Sequence, residues 1–150
     1  MEIIKIKNEN EWNKYQTSRE EFVDFLFKHL GQYGDPKSSI NKCIDFAFKL
    51  NSGLGGFCLI AKEEEKIIGA LIMNNTGMGE YIPSNILVYI TVDESQRGKG
   101  IGRKICEFAI NEVNGDVALH VEYDNPAKKL YERIGFSSKY AEMRLIKQEI

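Results

Sequence analysis

The sequence predicts an α/β fold of the α+β type, a mixed and mostly antiparallel central sheet flanked by helices. Three observations carry that expectation. Short apolar runs at "EIIKIK", "FCLIA", "KIIGALIM", "ILVYITV" and "VALHVEY" have the length and composition of strands, whereas residues 10–30, 38–50 and 100–113 repeat apolar positions at helical spacing. "FCLIA" and "KIIGALIM" are joined by the charged "KEEEK", the arrangement of two antiparallel strands with a solvated turn. Residues 86–123 then read strand, glycine loop, helix, strand. Such a unit crosses over right-handed and sets two parallel neighbours inside an otherwise antiparallel sheet.

Taken in order, "EIIKIK" is the first strand, and a helix over residues 10–30 places Trp12, Tyr15, Phe22, Phe25, Leu26 and Leu30 on one face. "GQYGDPKSS" supplies turn residues. Ser38 or Ser39 is placed to cap a second helix with Ile40, Cys43, Ile44, Ala47 and Leu50 inward, and "NSGLGG" ends it. After the hairpin, "NNTGMGEYIPSN" is a longer loop leading into "ILVYITV". The helix from about Gly100 to Val113 turns Ile101, Ile105, Phe108 and Ala109 inward, and "NGD" stops it. "DNPAKKLYERIGF" is punctuated as a short helix, with Asn125 as cap, Pro126 in the first turn and Gly135 just past the end. The close, "AEMRLIK", alternates like a final strand.

A chain of 150 residues, 43% of them hydrophobic, is long enough for one ordinary core, and nothing in it marks a linker or repeat, so a single domain over 1–150 is expected. The 20 basic and 22 acidic residues give a net charge of -2 without a basic tract, which excludes nucleic acid as the main partner. "MEIIKIKNENEW" lacks the apolar core of a signal peptide, and "ILVYITV" is too short to span a bilayer, so no membrane association is expected. Cys43, Cys58 and Cys106 are widely spaced and not in a CxxC arrangement, and His29 and His120 are the only histidines. Reduced thiols in a cytoplasmic protein and no metal are the reading. A small cytoplasmic domain of this kind is compatible with a homodimer.

"VYITVDESQRGKGIGRKI" alternates Gly98, Gly100 and Gly102 where a strand becomes a helix, with Arg97, Lys99, Arg103 and Lys104 around them. Glycines there let the backbone pass close to a ligand and turn its N–H groups inward, while the helix dipole favours negative charge. A glycine-rich turn also serves as a plain tight connection; the surrounding cations favour phosphate. The loop does not supply the GxxxxGK[S/T] of a P-loop, and Arg103 breaks the GxGxxG of a dinucleotide fold.

"QRGKGIG", with Arg97, Gly100 and Gly102, resembles the R/Q-x-x-G-x-G/A pattern of the GNAT superfamily of N-acetyltransferases. "ILVYITVDES" before it is similar to that family's fourth strand, and "NPAKKLYERIGF" to its late helix and closing glycine-aromatic pair. The detailed resemblance spans residues 86–137. It implies the GNAT-like acyl-CoA N-acyltransferase fold and acetyl-CoA as cosubstrate. The diphosphate would lie on backbone N–H groups of Arg97, Gly98, Lys99, Gly100, Ile101 and Gly102, with Arg103 beside it. The pantetheine arm would pair with Ile90, Thr91 and Val92 as an added strand.

The implied reaction is direct transfer of an acetyl group from acetyl-CoA to a primary amine, a small-molecule amine favoured over a protein amine. Tyr131 resembles the family's late-helix tyrosine and is expected to protonate the departing thiolate; periodicity alone would set it in a core stripe with Ala127, Leu130 and Ile134. A backbone N–H near Val92 is the family's oxyanion donor. Glu80 and Glu122 are candidates for the base, acting through water. Asp stands at 124 where the family usually has Asn, so Asn125 is the candidate cofactor contact beside its role as cap. Tyr81 and Tyr89 could line the acceptor side, and Asp24, Asp35 and Asp45 could attract an amine. The alternative function is a non-catalytic acyl-CoA-binding sensor or a partner-binding module on the same fold.

Overall fold

Five strands lie in chain order in one sheet of the computed structural model, which describes residues 1–148: β1 (Glu2–Ile6), β2 (Gly56–Glu63), β3 (Lys66–Asn75), β4 (Asn85–Val92) and β5 (Val117–Leu119). The first four pair antiparallel and β4 pairs with β5 in parallel, which is the mixed sheet that the alternating apolar runs imply. Residues Met1–Leu119 form one unit, and the chain from His120 onward forms a second.

Two layers of helix cover the sheet. Cys58 and Ile60 of β2 and Ala70 and Ile72 of β3 project to one face because strand side chains alternate. They meet α1 (Glu11–Lys14), α2 (Arg19–Leu30) and α3 (Lys37–Ala47) through Trp12, Phe22, Leu26, Ile40 and Ile44. Phe22, Leu26, Ile40 and Ile44 are wholly buried, each stabilising by roughly 1.5–3 kcal/mol, against about 1 kcal/mol for a helix cap. Packing therefore outweighs capping in holding these helices. On the opposite face, α4 (Ile101–Asn111) buries Ile101, Ile105, Cys106 and Ala109, with Phe108 half-buried rather than fully inward. Gly69 of β3 lies directly beneath it: a Cβ there would stand 2.4 Å from Ile105 Cδ1.

The structure corrects four expectations. The helix foreseen over residues 10–30 is two helices, broken where Gln16 takes φ 57 and Ser18 is extended. Ser18 caps α2 by accepting from the Glu21 N–H at 3.1 Å, a Ser-x-x-Glu start signal inside the apolar stripe. Lys62 reaches from β2 to donate to the Tyr15 carbonyl at 2.8 Å, so the break is held from the sheet. Helix α3 starts at Lys37 behind Pro36 rather than being capped by Ser38 or Ser39, because the proline φ of -55 presets the first turn. It stops at Ala47, leaving Leu50 exposed. "KEEEK" narrows to a two-residue hairpin turn, with Glu64 and Glu65 at φ 50 and 67, the left-handed pair that matches strand twist.

The fourth correction concerns the end of the chain. Strand β5 stops at Leu119 rather than reaching Tyr123, and "AEMRLIK" forms no strand. Met143, Leu145 and Ile146 are more than four-fifths exposed, and alternation only says which way side chains would point if a partner strand were present. The second unit contains α5 (Ala127–Ile134), built as its punctuation implies. Asn125 Oδ1 accepts from the Ala127 N–H at 2.9 Å, and the N–H groups of Gly135 and Phe136 return to the Tyr131 carbonyl at 3.1 and 3.0 Å.

The Gly69–Ile105 contact is testable by a double-mutant cycle. Gly69→Ala should destabilise by about 1–3 kcal/mol through overpacking. Ile105→Val alone should cost about 0.5–1.5 kcal/mol. Urea unfolding should show the double variant losing less than the sum of the two.

Candidate active site

The geometry of the site begins with the phase of β4. The Asp93 N–H donates to the Ile68 carbonyl at 2.9 Å, so the backbone groups of Thr91 also face β3, and those of Ile90 and Val92 face the other edge. On that edge β5 pairs only with Asn85, Ile86 and Leu87. The register slip between Ile72 and Met73 leaves Val88 as an extra residue on β4, a bulge where the pairing with β5 has just ended. Beyond it, within the first unit, the Ile90 N–H and carbonyl and the Val92 N–H form a short open edge.

The chain then turns through Asp93, which caps a 3-10 turn (Glu94–Gln96) by accepting from the Ser95 N–H at 2.9 Å and its hydroxyl at 2.8 Å. These bonds hold the Asp93 carboxyl below its ordinary value of 3.8. Gly98 and Gly100 follow at φ 82 and 79, and a Cβ on either would meet only open space. Backbone conformation therefore requires glycine at both positions, and the space above them is left clear for a ligand. Helix α4 begins with no side-chain cap, whereas Ser18 caps α2. The N–H groups of Ile101, Gly102 and Arg103 consequently lack intrahelical acceptors and give the helix end a positive field.

The four cations of the loop divide by what they touch. Arg97 does not face the cradle with its guanidinium. Its Nε donates to the Val92 carbonyl at 3.1 Å and its Nη2 to the His29 carbonyl at 2.6 Å, so its contribution to a ligand is its backbone. Lys99 Nζ donates to Gln96 Oε1 at 3.0 Å, and Arg103 pairs with Glu107 at 2.7 Å on the exposed side of α4. Lys104 forms no ion pair among the described residues. The stretch from Arg97 to Gly102 holds no acidic side chain.

Sequence reasoning missed the latch beneath this loop. His29, in the last turn of α2, is buried against Phe25, with ring centroids 4.5 Å apart. Its carbonyl, one of those a helix end leaves unpaired, accepts from Arg97 and from the Thr91 hydroxyl at 3.0 Å. Its Nδ1 accepts from the Glu94 N–H at 3.3 Å, so the neutral ring carries its proton on Nε2, 3.9 Å from an Asp93 carboxylate oxygen. The end of α2 is thereby tied to both the end of β4 and the start of the glycine loop.

The remaining sequence candidates are placed as follows. Tyr131 is buried in α5, its ring edge-on to Phe136 at 6.0 Å. Glu122 is exposed in the turn before α5 rather than on a strand, because β5 ends three residues earlier, and its carbonyl accepts from the Asn125 N–H at 3.0 Å. Glu80 is exposed at φ 64 in the 76–84 loop, whose base is held by Thr76 bonding to Pro83 and Ser84. Tyr81 is exposed, and the hydroxyl of Tyr89 donates to Asp35 at 2.6 Å. Cys106 is fully buried, and burial pushes its thiol up to about 11, the wrong protonation state for a nucleophile at neutral pH.

The arrangement suits an extended polyamide chain on the β4 edge, leading to an anionic group over Gly98–Arg103. A family model described as "Acetyltransferase (GNAT) domain" matches residues 55–138. Among solved structures, similarity extends to the GNAT family acetyltransferase SP0256 of Streptococcus pneumoniae TIGR4, at TM-score 0.70 and 16% identity over 99% of this chain and 98% of that one. The ribosomal-protein-alanine N-acetyltransferase of Brucella melitensis biovar Abortus 2308 matches at TM-score 0.65 and 17% identity over 98% and 100%. An aminoglycoside N-acetyltransferase, AAC(6')-Iy, solved in complex with CoA, matches at 0.63 and 14% over 98% and 99%. No curated protein matches the chain by sequence.

Burial lowers the pKa of His29 below its ordinary 6.5, with Asp93 opposing the shift. The unfolded chain then binds the proton more readily than the folded one, so this group's stabilisation is complete above about pH 6.5 and is lost as pH falls toward the folded value. Thermal melts from pH 7.5 to 5 should show the midpoint falling below pH 6.5, with His29→Gln flattening that part of the curve.

Proposed function

Because the chain belongs to the GNAT acetyltransferase family, we propose that it moves the acetyl group of acetyl-CoA directly to a primary amine, a small-molecule amine in preference to a protein amine. The observation that carries this reading is the open β4 edge running straight into an uncapped helix N-terminus over two left-handed glycines. The family model runs through both units, which supports reading residues 1–150 as one acetyltransferase domain.

Acetyl-CoA supplies the activated acyl group as a thioester. The chain supplies the rest. Ile90 and Val92 offer backbone groups to the two pantetheine amides, with Thr91 between them turned inward to hold His29. The N–H groups of Gly98, Lys99, Gly100, Ile101, Gly102 and Arg103, with that of Arg97, cradle the diphosphate. The uncapped turn of α4 and the lack of acidic side chains from Arg97 to Gly102 fit that anion. Asn125 is the further cofactor contact through its amide, beside its bond to Ala127.

A backbone N–H of β4 near Val92, other than those that hold the pantetheine amides, is the donor to negative charge developing on the acyl oxygen. Tyr131 is the donor to the departing sulfur, a phenol O–H being a proton source that a thiolate can accept. Glu80 or Glu122, both exposed, takes the amine proton through water.

Thermal unfolding with and without ligand tests the cosubstrate. Acetyl-CoA at about 100 times its dissociation constant should stabilise by about 2.7 kcal/mol, with ATP at the same concentration giving far less. Gly100→Leu should abolish the acetyl-CoA shift while the free protein still melts cooperatively. An equal shift with ATP would count against the pantetheine contact on β4.

Turnover separates the enzyme from an acyl-CoA sensor. Tyr131→Phe should lower kcat for thiol release by about 10²–10⁴-fold and leave acetyl-CoA affinity within a few-fold. An unchanged rate across pH would assign the proton to another group.

A further inference from the structure

The acceptor half of the site is distinguished by one carboxylate. Of the three aspartates on the first helices and their connection, Asp24 is paired with Lys37 at 2.8 Å and Asp45 with Arg19 at 2.9 Å. Asp35, exposed in the connection between α2 and α3, has no basic partner among the described residues. Its Oδ2 instead accepts the Tyr89 hydroxyl at 2.6 Å, a bond between groups 54 positions apart in the chain.

Tyr89 is buried on β4, directly before Ile90, the first residue of the open edge, and directly after the bulge at Val88. Burial first, and then the Asp35 carboxylate, push the phenol well above its ordinary value of 10, so it stays a donor. A neutral donor on Oδ2 fixes this exposed carboxylate without bringing it a counter-charge. A carboxylate set at the cofactor strand without a cation is a seat for a ligand's cation.

The chemistry decides which cation. A carboxylate beside an ammonium favours the charged form. The nitrogen that attacks a thioester must be neutral, so the group at Asp35 is a different one from the nitrogen that is acetylated. We propose that Asp35, held in place by Tyr89, binds a second, non-reacting ammonium of the acceptor. The substrate class is then small molecules with at least two basic amines. This rests on the acetyltransferase reading and narrows its acceptor.

The test compares 1,4-diaminobutane with butylamine, which share chain length and differ by one cation. Thiol release is followed with saturating acetyl-CoA, and binding of each amine by NMR in the presence of CoA, so that affinity is read without turnover. In the wild type the diamine should bind more tightly, by roughly three- to tenfold for an ion pair of limited burial. Asp35→Asn should remove that advantage by weakening the diamine more than butylamine, and keep the melting temperature and the acetyl-CoA affinity of the wild type. Tyr89→Phe, which frees the carboxylate without removing it, should give an intermediate ratio, and added salt should shrink the diamine advantage in the wild type alone.

Equal affinity for the two amines in the wild type overturns the assignment. So does an Asp35→Asn variant that weakens both equally, or tighter binding of an N-terminal peptide that ignores Asp35. Failure of acetyl-CoA to bind at all overturns the acetyltransferase reading itself. That measurement is independent of either amine.

Discussion

The hydrogen bond from the Asp93 N–H to the Ile68 carbonyl sets the phase of β4, and the site depends on that phase. With Asp93 and Thr91 committed to β3, Ile90 and Val92 necessarily turn their amides outward, because a strand alternates its backbone groups as strictly as its side chains. A slip of one residue would turn the Thr91 backbone to the open edge and those of Ile90 and Val92 to β3. The bulge at Val88 sits between the part of β4 paired to β5 and the part that is not. The same strand is thus paired on both sides at Asn85–Leu87 and, within the first unit, open on one side from Ile90 onward.

The glycine loop makes few contacts of its own: Gly98 and Gly100 have empty space over them, and Lys99 is exposed with one bond to Gln96. Its rigidity comes from behind. Arg97, drawn back to the carbonyls of Val92 and His29, closes the turn from below, and Asp93 and His29 fix its entry through Ser95 and Glu94. A guanidinium suits this place because it donates in two directions from one planar group. The helix α2 that provides the His29 carbonyl also leads into the connection carrying Asp35. The glycine loop and the connection carrying Asp35 are therefore joined through one helix end.

Several features were legible because their causes are local. Left-handed backbone at Gly98 and Gly100, the cap at Asn125 and the stop at Gly135 follow from the residue types within a few positions. The Ser18 cap was equally local, yet the apolar stripe from Trp12 to Leu30 masked it: a short break in a helix can leave the inward face intact while the path changes. The Glu64–Glu65 turn was not legible as a left-handed pair, since neither residue favours positive φ; the pairing of Glu63 with Lys66 imposes it. "AEMRLIK" shows the reverse case, a strand pattern with no ladder to join.

By itself the sequence determined the order of the five strands, the mixed sheet and the left-handed glycines ahead of a helix start at residues 98–101, because periodicity and glycine φ act over a few residues. Only the tertiary structure decided that the Arg97 guanidinium braces the turn, that His29 belongs beneath the loop, and that Asp35, unlike Asp24 and Asp45, meets no cation among the described residues. Those contacts join groups 54 to 68 positions apart. Their geometry is set by the register of strands and the packing of α2 and α3 on the sheet, and no pattern in the chain order encodes a partner at such distances.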